Sequence, residues 1–342
     1  MRLGVDTYSL RWQGWDAFQF LDYSAKVGLD NVHFSERNNF ASLEESYLKS
    51  VKQRADELGL AIEVGMGSFD KYSSAFHADL GTGEEQLIQM LHAAKIVKSP
   101  VVRCLLGSQT ERMGPVPFEK HVEECVRTLK AAAPVARDLG IKFAVENHGG
   151  IDFLARELKA MVEEAGTDYV GVCLDTGNPA WAAEDPVLST EILSEYAISS
   201  HVRDNRVWAT PEGAMAQWVP LGQGNTDLKT IIQILKDKAP NPPVDLEIIT
   251  CIPAKPLPYL VPGSDFFKMY PGMLAQDFAR FVAMANAGKP GELDQLLIPP
   301  KTRGLPEGEL GQKLIEQQRV HFEQSVQYAR DVLGIGERGR AA

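Results

Sequence analysis

Residues 142–150 read KFAVENHGG. An apolar run of strand length ends in a carboxylate and an imidazole and is stopped by glycine. The same construction recurs along the chain, each short apolar run being followed by a longer stretch with apolar residues at helical spacing. Strands are expected at 3–8 (LGVDTY), 31–36 (NVHFSE), 61–66 (AIEVGM), 101–106 (VVRCLL), 142–147 (KFAVEN), 170–175 (VGVCLD), 198–203 (ISSHVR) and 244–249 (VDLEII). Helices are expected around 15–27, 43–58, 84–97, 117–138, 153–165, 187–196 and 226–237. Several of them close on the Gly that follows helix C-termini, as in KVGLD, DELGL and RDLGI. Eight β units separated by helices, with no Gly-x-Gly-x-x-Gly after the first strand, predict a closed (β/α)₈ barrel, an open doubly wound sheet being the alternative.

After residue 250 the pattern changes. CIPAKPLPYLVPG (251–263) carries four prolines, which stiffen the chain and cannot donate to a ladder, so a long ordered loop is expected there rather than another strand. Helical spacing returns at 274–287 and 309–333, joined by the proline-rich connector LLIPPKTRGLPEGE. The first of these reads as the closing helix and the second as a C-terminal helical appendage. The expected organisation is a catalytic barrel over 1–290 and an extension over 291–342 packed on it.

The chain has 342 residues, 44% of them hydrophobic and 24% charged, within the range of one large soluble globular domain. A formal net charge of −11 disfavours binding to the phosphate backbone of nucleic acid. Four cysteines (Cys104, Cys125, Cys173, Cys251) lie far apart with no Cys-x-x-Cys pair, which suits a reducing cytoplasm. The N-terminus lacks the apolar segment of a signal peptide, and no run approaches the roughly 18 apolar residues of a membrane span.

In a barrel, polar residues at the C-terminal ends of strands face the mouth where chemistry is done. Four strands here end in metal-ligand types: Glu146, Asp175, His201 and Glu247. Three carboxylates and an imidazole converging there repel one another toward protonation unless a cation intervenes. Oxygen-rich ligation with one His suits Mn²⁺, with Mg²⁺ or another divalent ion as alternatives. Side chains alternate along a strand, so Glu146 and His148 are expected on one face.

Glu36 and His77 are expected to hydrogen-bond substrate hydroxyls. Trp181, Trp208 and Trp218 are expected in loops, where an indole stacks on a sugar face. His33 reads as structural, and His92, His121 and His321 as solvated helix residues. Cys104 and Cys173 read as core packing.

The segments AVENH (Glu146), CLDTGN (Asp175), SSHVRDN (His201, Arg203, Asp204) and DLEI (Glu247), with LGQGNTD as an accessory, resemble the xylose isomerase-like TIM barrels, the broad sugar phosphate isomerase/epimerase group. The resemblance covers residues 1–250 and the helix near 280. It implies one Mn²⁺-like ion held by Glu146, Asp175, His201 and Glu247, with Arg203 near the substrate. In ketose 3-epimerases of this group two metal-bound glutamates exchange the proton. Here His148 adds an independent base.

That histidine, the proline-rich loop and the long C-terminus resemble the α subunits of bacterial C-glycoside deglycosidases and related 3-keto-glycoside lyases. The narrower likeness implies enolisation of a keto-sugar with His148 as base, then β-elimination of the aglycone. The alternative is an epimerase or isomerase of a free keto-sugar using Glu146 and Glu247. Expected partners are the sugar or glycoside itself and a second copy of the chain or a small β subunit, with neither nucleic acid nor membrane. An endonuclease of the same superfamily would need a histidine-rich multi-zinc cluster and a basic face.

Overall fold

A computed structural model describes residues 1–291, 295–299, 302 and 304–338. Pro300, Lys301 and Arg303 of the proline-rich connector, and residues 292–294 and 339–342 of the expected extension, lie outside the described residues. The strands in chain order are β1 (Leu3–Asp6), β2 (Asn31–Phe34), β3 (Ala61–Ser68), β4 (Val101–Leu105), β5 (Lys142–Glu146), β6 (Val170–Asp175) and β7 (Ala197–Val202). Then come a hairpin, β8 (Asp204–Thr210) and β9 (Gly213–Val219), the last barrel strand β10 (Val244–Leu246), and β11 (Lys255–Leu257). β1 to β7 and β10 close into a parallel barrel, β10 lying between β7 and β1. All eight expected strands are in it.

Each barrel strand alternates. Leu3 and Val5, Val32 and Phe34, Ile62 and Val64, Phe143 and Val145, Val172 and Leu174, and Val244 and Leu246 point outward into the main hydrophobic core. The outer helices cover them: α1 (Ala17–Lys26), α2 (Glu45–Leu58), α3 (Gly83–Val97), α4 (Phe118–Leu139), α5 (Ala155–Ala165), α6 (Pro186–Leu193) and α7 (Leu228–Lys238). The intervening positions point into the lumen; beside a small apolar layer of Val101, Ala144 and Cys173 they carry the charged Asp6, His33, Glu63, Arg103, Glu146, Asp175, His201, Asp245 and Glu247, all buried. A period of two along every strand thus separates an apolar outer surface from a mainly polar interior.

The structure adds a second sheet that the sequence reading did not contain. β8 and β9 pair antiparallel, and β11 joins the free edge of β9 with Lys255 opposite Ala216 and Leu257 opposite Ala214. The segment 251–263 was expected to hold no strand. It does hold one because Pro256 sits on an edge strand, where its missing N–H costs no ladder bond. Trp208 and Trp218, expected in loops, are on this sheet.

The two C-terminal helices exchange their expected roles. α8 (Phe266–Met269) and α9 (Ala275–Ala287) pack over the small sheet, where Phe281 and Ala285 meet Val207, Ala214 and Ala216 in a separate apolar cluster. α10 (Gly308–Asp331) does pack on the barrel, and its Phe322, Val326 and Ala329 belong to the main core. It therefore covers the outer face of the barrel at β10, where 274–287 was expected to pack as the closing helix. His121 and His321, expected at the surface, are buried; His121 bonds Asp70 and His321 bonds Thr250. Among the described residues no helix is long and apolar enough to cross a membrane.

Candidate active site

Glu146, Asp175, His201 and Glu247 converge at the C-terminal end of the barrel, each offering a ligand atom within 4.8 Å of the others. The register explains this: Asp175 lies directly across from His201, and Glu247 follows β10 immediately. His201 Nδ1 is 3.1 Å from Glu146 Oε2 and 3.2 Å from Glu247 Oε2. Glu146 Oε1, Asp175 Oδ2, His201 Nδ1 and Glu247 Oε2, one atom from each, are buried and make no well-formed hydrogen bond. Four buried ligand-type atoms at one point, of which Asp175 Oδ2 and Glu247 Oε2 are otherwise met only by the Arg203 guanidinium, fit a bound cation.

The charge balance of the lumen points the same way. Among the described residues, Asp6, Glu63, Glu146, Asp175, Asp245 and Glu247 face two buried guanidiniums, Arg103 and Arg203. Burial would keep His201 neutral, yet Cys173, Glu146 and Asp6 around it drive its imidazole well above the ordinary histidine range. Burial also pushes the Asp175 carboxyl up to about 8, despite Arg203 beside it. Both shifts mark a place that takes up positive charge, a proton or a metal. Burial would raise Glu146 and Glu247 too, but Arg103 holds the first well below the carboxylate range and Arg203 holds the second at about 2.

Two arginines frame the cluster. Arg103 donates through Nε to Glu146 Oε2 at 2.5 Å and through Nη1 to the Met66 carbonyl at 3.1 Å. Arg203 pairs with Asp175 through Nε at 2.9 Å and with Glu247 through Nη2. Arg103 was missed in the sequence; its signal was a lone cation inside the apolar run VVRCLL.

Behind His201, its Nε2 lies 3.1 Å from Nδ1 of the buried His33, with Glu63 and Asp245 beyond. Were Nδ1 to hold an ion, Nε2 would carry the proton and His33 would accept it, so that the deeper group would orient the imidazole.

His148 stands just past β5. Its Nδ1 lies 2.6 Å from the Gly107 carbonyl, which can only accept, so Nδ1 carries the hydrogen and Nε2 the lone pair. Its backbone N–H donates to Asp152 Oδ1 at 2.7 Å. Burial lowers its pKa below the ordinary value, keeping the ring neutral at pH 7. Asn147, between Glu146 and His148, instead ties β5 to β6: its amide donates to the Asp175 carbonyl and its Oδ1 accepts from the Asp175 N–H, both at 2.9 Å.

Two cavities meet at this histidine. The first, of about 310 Å³, is lined by Arg103, Arg203, Glu247, Asn178 and Trp218; the second, of about 360 Å³, by Met66, Gly67, Leu80, Leu105 and His77. His148 and Glu36 line both. Glu36 is half-exposed, with Oε1 3.6 Å from Arg103 Nη1, while His77 is 71% exposed at the outer rim. Trp181, expected to face the substrate, is instead buried behind Trp218, the two indoles stacking at 3.9 Å. It lies one layer back because the hairpin, absent from the sequence reading, interposes Trp218. The Trp218 face carries Arg203 at 4.7 Å, and its Nε1 has no partner among the described residues.

Comparisons with known proteins agree on the architecture. Residues 21–267 match the family described as xylose isomerase-like TIM barrel. A 3-oxo-isoapionate decarboxylase from Pectobacterium atrosepticum is 22% identical over 255 residues, 70% of this chain and 83% of that protein. The structure of a D-psicose 3-epimerase determined in the presence of D-fructose superposes with a TM-score of 0.63 at 16% identity, covering 98% of this chain and all of that one. The 3-keto-D-glucoside 4-epimerase YcjR from E. coli gives 0.57 at 13% identity, covering 73% and 92%.

Proposed function

We propose a function from one premise: the chain belongs to the xylose isomerase-like TIM barrel family. In this reading it is a divalent-metal-dependent enzyme that removes a proton from carbon beside the ketone of a keto-sugar. The reaction is β-elimination of the aglycone from a 3-keto-glycoside. The observation that carries it is His148, a neutral imidazole of fixed tautomer at the wall common to both cavities.

Glu146, Asp175, His201 and Glu247 would hold the ion, and three carboxylates with one imidazole favour Mn²⁺, then Mg²⁺. When bound, the ion supplies polarisation of the ketone oxygen. His148 Nε2 takes the proton from C2, and an imidazole does this at neutral pH with little tuning. The C–H electron pair becomes the C1=C2 double bond, and the C1–aglycone bond breaks with its pair on the aglycone. The proton on His148 is then at hand to neutralise the departing group. Trp218 offers its indole N–H and Arg203 its guanidinium to the sugar, while the second cavity gives the aglycone room beyond His148.

The names of the relatives support a keto-sugar: a 3-oxo compound for one, a 3-keto-glucoside for the other. The alternative is epimerisation or isomerisation of a free keto-sugar with Glu146 and Glu247 as the proton-transfer pair. Each of those carboxylates is ion-paired to a buried arginine, which weakens it as a base. Incubating the Mn²⁺-loaded enzyme in D₂O with a 3-keto-glycoside and with free ketoses separates the two. Released aglycone is the expected result; deuterated epimer without release makes the enzyme an epimerase.

A further inference from the structure

The loop that carries His148 is held only in part from within: the His148 N–H donates to Asp152 Oδ1 and the Asp152 N–H to the His148 carbonyl, both at 2.7 Å. Gly149 and Gly150 both adopt left-handed backbone, at φ of 63° and 64°, and a Cβ on Gly149 would lie 2.6 Å from the Cα of Ser108. Two consecutive glycines make such a turn cheap to form and equally cheap to undo. Further bracing comes from outside.

Four contacts from the 107–112 segment reach it, one being the Gly107 N–H, which donates to Asp152 Oδ2 at 3.2 Å. The Gly107 carbonyl accepts from the imidazole, the Gln109 N–H donates to the Gly149 carbonyl at 3.1 Å, and Arg112 Nη1 donates to the Asp152 carbonyl at 2.6 Å. That segment is in turn gripped by the excursion that follows the last barrel strand. Lys255 donates to Gln109 Oε1, to the Gly150 carbonyl at 3.4 Å and to the Trp181 carbonyl at 3.1 Å. Tyr270, 1% exposed, accepts from Gln109 Nε2 at 2.6 Å and donates from its hydroxyl to the Ile151 carbonyl at 3.3 Å. The Met269 carbonyl takes Arg112 Nε at 2.7 Å, and the Arg112 guanidinium lies 4.6 Å over the Tyr270 ring.

We infer that Lys255 and Tyr270 are positioning residues for the base. The excursion over 255–270 sets where His148 Nε2 points, acting through Gln109 and Arg112, while the metal cluster is built by the barrel alone. This rests on the reading of His148 as the base. No atom of the four metal-ligand side chains is bonded to Lys255 or Tyr270, so the two functions are separable.

The test is Tyr270→Phe and Lys255→Met in the Mn²⁺-loaded full chain, read by peptide-resolved amide hydrogen exchange, metal content and steady-state kinetics. Exchange should rise about tenfold at 148–153, as for a locally opened segment. kcat should fall about 10- to 100-fold, the cost of a reacting group displaced by about an ångström, with KM and metal stoichiometry unchanged. Faster exchange confined to 255–270, with 148–153 still protected, would overturn the inference and leave the excursion a merely structural cover. Loss of metal in either variant would overturn it too. Full turnover by His148→Ala would instead remove the reading on which it rests, whatever the exchange data show.

Discussion

At the scale of the residue, the division of labour lies within three consecutive positions. Glu146 points into the lumen, Asn147 sideways to β6, and His148 to the cavity wall. Changing His148 to Ala should therefore cost about 10²- to 10⁴-fold in turnover, the usual worth of a general base, and leave metal bound. Retained turnover would exclude the imidazole from the chemistry. Glu146→Gln should do the opposite: metal content drops on dialysis, and the buried Arg103 loses its closest carboxylate, keeping only the more distant Glu36, so stability falls as well. Arg103 was legible only as an oddity in an apolar run, because a sequence says that a charge is buried but not what it faces.

At the scale of the element, the hairpin and β11 build one wall of the site from residues remote in sequence. Trp218→Ala would remove the indole that backs the first cavity, and KM for the keto-sugar should rise by more than kcat falls. Lys255 anchors β11 with only neutral oxygens around its ammonium. Burial lowers its pKa from the ordinary 10.5 to about 8. Between those values the unfolded chain binds more protons than the folded one, so this group makes folding more favourable as pH rises from about 8 to 10.5. Thermal melts of wild type against Lys255→Met across that window should show a rise in wild type that the variant lacks. Parallel slopes would mean that the ammonium is solvated.

At the scale of the whole molecule, α10 belongs to the barrel core rather than resting on it. Phe322 is fully buried there, and Phe322→Ala should lower stability by about 3–5 kcal/mol, measured by denaturant titration. An effect below about 1 kcal/mol would make the helix an accessory. A metal held by the four strand-end residues would couple to the same global equilibrium. At 100 times its Kd it should add about 2.7 kcal/mol through preferential binding to the folded state, so chelation should lower the melting temperature. The lumen, with six carboxyls facing two arginines, is where that energy is felt.

The sequence by itself determined the barrel and the four strand ends that meet at its mouth. Alternation of apolar and polar residues along each strand and glycines after the helices are local signals, and the rule that strand C-termini face the mouth then brings Glu146, Asp175, His201 and Glu247 together. What only the tertiary structure decided were the contacts between distant segments. Trp218 in front of Trp181, Arg103 against Glu146, Phe322 in the core and the grip of Lys255 and Tyr270 on the His148 loop all depend on where an excursion of the chain comes to rest. Period and propensity carry no information about that, because the free energy that settles it comes from packing and hydrogen bonds between residues that can lie 306 positions apart in the chain.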